Sequence, residues 1–134
     1  MKHVHIPHSI LQQMTTHAQR EAPNECCGVI GGKENRLDTV YPMRNDKPSP
    51  TRYFGNPKDL FDAMKTMRSN GEDMTGIYHS HPASPAFPSA TDIEENGYPG
   101  LYYFIISLAG DAPDVQCFHL LEDGTVVTLE IVSI

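Results

Sequence analysis

Two histidines one residue apart, His79 and His81, sit near the start of the stretch IYHSHPASPAFPSATDIEE. Ser89 and Asp92 follow after a loop stiffened by Pro82, Pro85 and Pro88. On a strand, residues i and i+2 leave from the same face, so the two imidazoles can converge on one metal ion. A catalytic zinc site takes three protein ligands, with nitrogen bonds of about 2.0–2.1 Å, and keeps a fourth position for water. Asp92 can supply the third ligand from beyond the loop. The same residues also have an ordinary reading. Ser89-Ala-Thr-Asp92 is a capping-box pattern, and an aspartate in a first turn is favoured by the helix dipole with no metal present. The two readings are compatible, because Ser89 can open a helix and still aim its hydroxyl at a site. His3 and His5 repeat the H-x-H spacing without a following Ser and Asp, and are expected at the surface. His8, His17 and His119 read as helix-face or strand histidines, and Ser80 as a structural residue on the opposite strand face.

Strands and helices must alternate to place these groups. A strand at Val4–Ile6 leads through Pro7, a good first-turn residue, into a helix ending near Glu21, with Ile10, Leu11, Met14 and Ala18 on one face. CCGVIGG reads as a buried strand and Leu37–Met43 as a second. Asn56-Pro57 is an N-cap and first-turn signal for a helix whose apolar stripe is Leu60, Phe61, Met64 and Met67, closed by Asn70-Gly71. MTGIYHSH is the strand that carries the histidines, and a short helix follows Ser89. Three closing strands complete the chain, the last two joined by a turn at Asp123-Gly124. The six methionines and eleven aromatics are expected to fill the core. The pattern is α/β, a mixed β-sheet flanked by helices.

A chain of 134 residues with 39% hydrophobic and 20% charged residues is expected to form a single domain, residues 1–134. A net charge of −7 with scattered Lys and Arg speaks against a nucleic-acid partner. No apolar run reaches the roughly 20 residues of a membrane span and the N-terminus lacks a signal-peptide core, so a cytoplasmic protein off the membrane, monomer or homodimer, is expected. Cys26, Cys27 and Cys117 cannot all pair and form no C-x-x-C knuckle; they read as buried thiols. Neither a P-loop nor the H-x-E with P-C-x-x-C of zinc deaminases is present.

HSHPASPAFPSATD resembles the signature of the JAMM (MPN-plus) metallopeptidases, His-x-His-Pro followed by Ser-x-x-Asp. APNECCGVIGG is similar to the family's early P-x-E-x-C-G strand, and PMRNDKPSPTRYF resembles the bacterial branch acting on small ubiquitin-like sulfur carriers. The resemblance implies the MPN/JAMM fold, related to the cytidine-deaminase-like fold. It also implies Zn2+ on His79, His81 and Asp92, Glu25 as general acid/base and Ser89 as donor to the oxyanion. The implied reaction is hydrolysis of an amide or isopeptide bond at a carrier's C-terminal Gly-Gly tail, releasing cysteine or a short extension. A non-catalytic MPN scaffold and a RadC-type DNA-associated JAMM protein are the alternatives. A complete ligand set opposes the first; acidic charge and the PMRNDKPSPTRYF segment oppose the second.

Overall fold

The computed structural model describes residues 2–134. Its elements, in chain order, are β1 (His3–Ile6), α1 (His8–Glu21), β2 (Cys27–Gly32), β3 (Thr39–Met43), α2 (Pro57–Asn70), β4 (Asp73–His81), α3 (Ala90–Glu94), β5 (Tyr102–Ser107), β6 (Asp114–Leu120) and β7 (Val126–Ser133). The strands form one seven-stranded sheet in the order β1-β7-β6-β5-β4-β2-β3. The β1–β7 and β4–β5 pairs are parallel and the others antiparallel, which makes the sheet mixed, as the sequence pattern implied.

Alternation along the inner strands divides the core in two. Tyr78, Phe104 and Ile106 face α1, which contributes Ile10, Met14 and Ala18. Ile77, Tyr103 and Ile105 leave from the other face and meet Ala63 and Met67 of α2. Residues i and i+2 share a face, so His79 and His81 belong to the α2 side, with Ile77.

Two details pin the histidine strand. Ser80, on the α1 face, accepts the Cys26 N–H through its hydroxyl at 2.8 Å, and the Ser80 N–H donates to the Cys26 carbonyl at 3.1 Å. Tyr78 reaches His17 Nδ1 with its hydroxyl at 2.7 Å, and its ring lies over Gly28 where a Cβ would otherwise sit. Gly28→Ala would force a ring held at both ends to move. It is expected to cost about 1–3 kcal/mol, read as a lowered midpoint in a thermal melt.

Helix α2 starts where Asn56 signals it, with the Asn56 side chain accepting the Asp59 N–H, and stops at Gly71 in the left-handed region. Its buried seam differs from the expected stripe. Ala63 and Met67 enter the core and Leu60 is half-buried, while Phe61 is 61% and Met64 47% exposed. Met67 packs beside Gly31 of the glycine-rich β2, and the small Ala63 lies in the same buried cluster as Cys27 and Val29 of that strand. Phe54, Phe61, Phe87, Tyr98 and Met64 depart from the core-filling expectation, which holds for Met14, Met67, Tyr78, Phe104 and Phe118. Met1 lies outside the described residues.

Strand β3 is shorter than Leu37–Met43, because Asp38 is taken into the preceding turn, its carboxylate accepting the Lys33 N–H. His3, His5 and His8 are exposed, and His17 is buried. The three cysteines are free and buried, and burial pushes their thiols up to about 11–12, so they remain un-ionised. Among the described residues no helix is long and apolar enough to cross a membrane.

Candidate metal centre and active site

Strand β4 ends in the middle of the sheet, between β2 and β5. The loop that follows is tied back to that end. His81 O accepts the Leu108 N–H at 3.1 Å, Ser107 Oγ donates to Ser84 O at 2.6 Å, and Phe87 packs edge-on against Phe118. The loop therefore returns α3 to the strand end with little freedom. The capping box forms as the sequence pattern implied, with Asp92 N–H donating to Ser89 Oγ at 3.0 Å and Ser89 N–H to Asp92 Oδ2 at 2.9 Å.

The same Asp92 oxygen faces both histidines. His79 Nε2, His81 Nε2 and Asp92 Oδ2 form a nearly equilateral triangle, with edges of 3.1, 3.2 and 3.1 Å. Ligands at about 2.0–2.1 Å from a tetrahedral zinc stand roughly 3.3–3.4 Å apart, so the triangle matches one face of that tetrahedron to within a few tenths of an ångström. The chemistry of the donors agrees. His81 Nδ1 lies 2.8 Å from the Pro85 carbonyl, a partner that can only accept, so Nδ1 holds the proton and the neutral ring offers its lone pair at Nε2. Two imidazole nitrogens and a carboxylate oxygen this close repel one another unless a proton or a cation lies among them. The three residues are the possible metal site among the described residues.

Titration follows the same geometry. Burial holds His79 below its ordinary value, and its Nδ1 has no hydrogen-bond partner. Burial alone would lower His81, but the Asp92 carboxylate and the Pro85 carbonyl hold it above its ordinary value. Burial alone would raise Asp92, yet both histidines and the Ser89 N–H hold it well below the usual carboxylate range.

Glu25 arrives at the same end of the sheet from the residue before Cys26, because β2 runs antiparallel beside β4. Cys27 pairs with His79, and one residue before it Cys26 meets Ser80 through the Ser80 N–H and the Ser80 hydroxyl, which brings Glu25 toward the end of the histidine strand. Glu25 is only 5% exposed, and burial pushes its carboxyl up to about 7; His81 pulls it down and Asp92 raises it further. Glu25 and Asp92 both line an open cavity of about 570 Å³, together with Cys27, Tyr53, Thr91 and Tyr98. Ser89 is exposed, and its hydrogen bonds within the site both run to Asp92.

Two participants were not read from the sequence as site residues. The Tyr53 ring stacks on His79, with centroids 4.7 Å apart and an interplanar angle of 25°. Pro85 supplies the carbonyl that fixes the His81 tautomer. Tyr53 sits within PMRNDKPSPTRYF, where the resemblance was the available signal; Pro85 read as a rigid spacer.

A mixed sheet that gathers a His-His-Asp triangle beside a buried glutamate at the mouth of a groove has the architecture of a metallohydrolase. The chain belongs to the prokaryotic homologs of the JAB domain, whose family model matches residues 7–121. It is 36% identical over 129 residues to the "Probable TtuB-protein conjugate cleaving protease" of Thermus thermophilus, covering 96% of this chain and 82% of that protein. It is 35% identical over 100 residues to the "CysO-cysteine peptidase" of Mycobacterium tuberculosis, covering 73% of this chain and 68% of the relative. A solution structure of a Desulfitobacterium hafniense protein superposes with a TM-score of 0.88 at 38% identity, covering 98% of this chain and 92% of that one. The JAB1/MPN domain protein of Archaeoglobus fulgidus shares the fold, with a TM-score of 0.63 at 22% identity over 99% of this chain and 100% of that one. The chain is a peptidase of this family.

Proposed function

We propose that this chain is a zinc peptidase that hydrolyses the amide or isopeptide bond after the C-terminal Gly-Gly tail of a ubiquitin-like sulfur carrier, releasing cysteine or a short extension. The observation that carries the reading is that Glu25 lines the same open groove as Asp92, the corner of the His79–His81–Asp92 triangle that reaches it. The relatives named for cleaving TtuB conjugates and CysO-cysteine supply the substrate class.

His79, His81 and Asp92 would hold the ion by Nε2, Nε2 and Oδ2. Zinc held there supplies Lewis acidity toward the scissile carbonyl and toward water. Glu25 accepts the proton of the attacking water and delivers it to the departing amine nitrogen, a task suited to a carboxyl poised near neutrality. Ser89 donates a hydrogen bond from its hydroxyl to the developing oxyanion, since its oxygen already accepts from the Asp92 N–H. Tyr53, stacked on His79, keeps that ring in plane and closes one side of the centre. A tail of glycines has no side chains to exclude, so it can lie extended in the groove with its amide over the triangle.

Incubation of the zinc-loaded protein with a carrier extended by one cysteine, and with the same carrier joined to a lysine side chain, tests the proposal by mass spectrometry. Cleavage immediately after Gly-Gly is expected. Intact substrate in both reactions, with about one zinc bound per chain, would leave the scaffold reading in its place.

A further inference from the structure

Asn45, two residues beyond β3, uses all four hydrogen-bonding positions of its amide on two separate pieces of chain. Its Oδ1 accepts the Lys47 and Phe54 N–H groups at 3.0 and 2.9 Å. Its Nδ2 donates to the Glu25 carbonyl at 3.0 Å and to the Arg52 carbonyl at 3.3 Å. Only one orientation of the amide satisfies two N–H donors on one side and two carbonyls on the other. The Glu25 N–H in turn donates to Ser49 O at 2.8 Å. Both backbone polar groups of Glu25 are therefore held by the segment between Asn45 and Gly55, a segment closed by the Asn45–Gly55 bridge and by Asp46 N–H donating to Phe54 O at 2.8 Å. That segment also carries Tyr53 onto His79.

The geometry points to Asn45 as a positioning residue: it fastens the peptide after Glu25 to the 46–54 loop, so that the proton shuttle and the aromatic wall of the metal centre are set by one side chain. This deepens the proposed function and rests on Glu25 acting as that shuttle. Glu25 precedes β2, so the ladder that fixes Cys27 does not by itself fix its backbone. A base displaced by an ångström can lose about 100-fold in rate. Aspartate at position 45 keeps the two accepting contacts and loses both donating ones, setting a carboxylate oxygen against the Glu25 and Arg52 carbonyls. It therefore isolates the link to Glu25 better than alanine does.

Single-turnover and steady-state rates on the carrier–cysteine substrate, for N45D, E25Q, the double variant and the parent, decide the matter. N45D is expected to retain about one zinc per chain and to lose about 10-fold or more in kcat with KM within about threefold. In the E25Q background it should change the rate by less than about twofold, because a residue acting through Glu25 has nothing left to position. Full kcat in N45D, a loss confined to KM, or losses that multiply through E25Q would each overturn the assignment. If the parent cleaves no carrier conjugate, the proposed substrate fails, and amide exchange of the zinc-loaded protein decides on Asn45. Exchange at the Glu25 and Phe54 amides should quicken about tenfold or more in N45D, with the α1 side of the sheet unchanged; unchanged exchange at those two amides overturns it.

Discussion

Replacing Glu25 by glutamine is expected to lower kcat on a carrier–cysteine conjugate by about 10²–10⁴-fold, while the protein still binds about one zinc per chain. Glutamine matches glutamate in shape and keeps the same backbone contacts to Asn45 and Ser49. It cannot take up a proton at the carboxyl, and Glu25 is not a corner of the His79–His81–Asp92 triangle. Metal and shape are thus held constant while the proton shuttle is removed. Full activity together with retained zinc would refute the role given to Glu25.

The same substitution has a second consequence in the metal-free protein. Glu25 stands at about 7 against an ordinary value of 4.5, because burial penalises its charged form. An acid raised in this way adds stability that is fully present below its unfolded value and is lost as pH rises through its folded value. Metal-free Glu25→Gln should therefore be more stable than the parent at about pH 8, by at most about 3 kcal/mol, and the difference should close by about pH 4, below the ordinary value of 4.5. Bound zinc works in the opposite direction, since a nearby positive charge favours the carboxylate. Loading should shrink the pH dependence of the difference.

How much of this could be read from the chain depends on the distance over which each feature is specified. His79 and Asp92 are 13 positions apart and joined by a proline-stiffened loop, so the triangle follows from a strand period, a spacer and a cap, all visible in one stretch. Helices α1 and α2 were legible for the same reason, from Pro7, Asn56-Pro57 and Gly71. Glu25 was reached only through resemblance. Its approach to the histidine strand depends on a β2–β4 pairing whose nearest contact, Cys26 with Ser80, spans 54 positions, and on a loop that holds its backbone from Asn45 and Ser49. Tyr53 and Asn45 lie on an irregular segment with no period to read, and their partners are backbone groups and a ring from other elements. The α2 stripe was misplaced because hydrophobicity favoured Phe61 and Met64, whereas the face packed on the sheet beside Met67 holds the small Ala63.

Asp92→Ala is expected to abolish both zinc binding and cleavage, and a comparison with Asp92→Asn separates its two duties. One oxygen, Oδ2, faces His79 at 3.2 Å, His81 at 3.1 Å and the Ser89 N–H at 2.9 Å. Alanine removes the only anionic ligand and half of the capping box. Asparagine leaves an oxygen for the Ser89 N–H but removes the negative charge. The loss of the N3 half of the capping box should appear as a lower melting point for metal-free Asp92→Ala than for metal-free Asp92→Asn. The metal loss is common to both, since two neutral imidazoles hold zinc far more weakly than two imidazoles with a carboxylate. A ligand that binds only the folded state raises stability by about 2.7 kcal/mol at 100 times its dissociation constant. Added zinc should therefore raise the melting point of the parent and leave both Asp92 variants where they were, and His81→Ala should behave like them. A zinc-dependent rise in Asp92→Ala, with about one ion per chain by metal analysis, would place the metal on other residues and leave the triangle as a cap and two buried histidines.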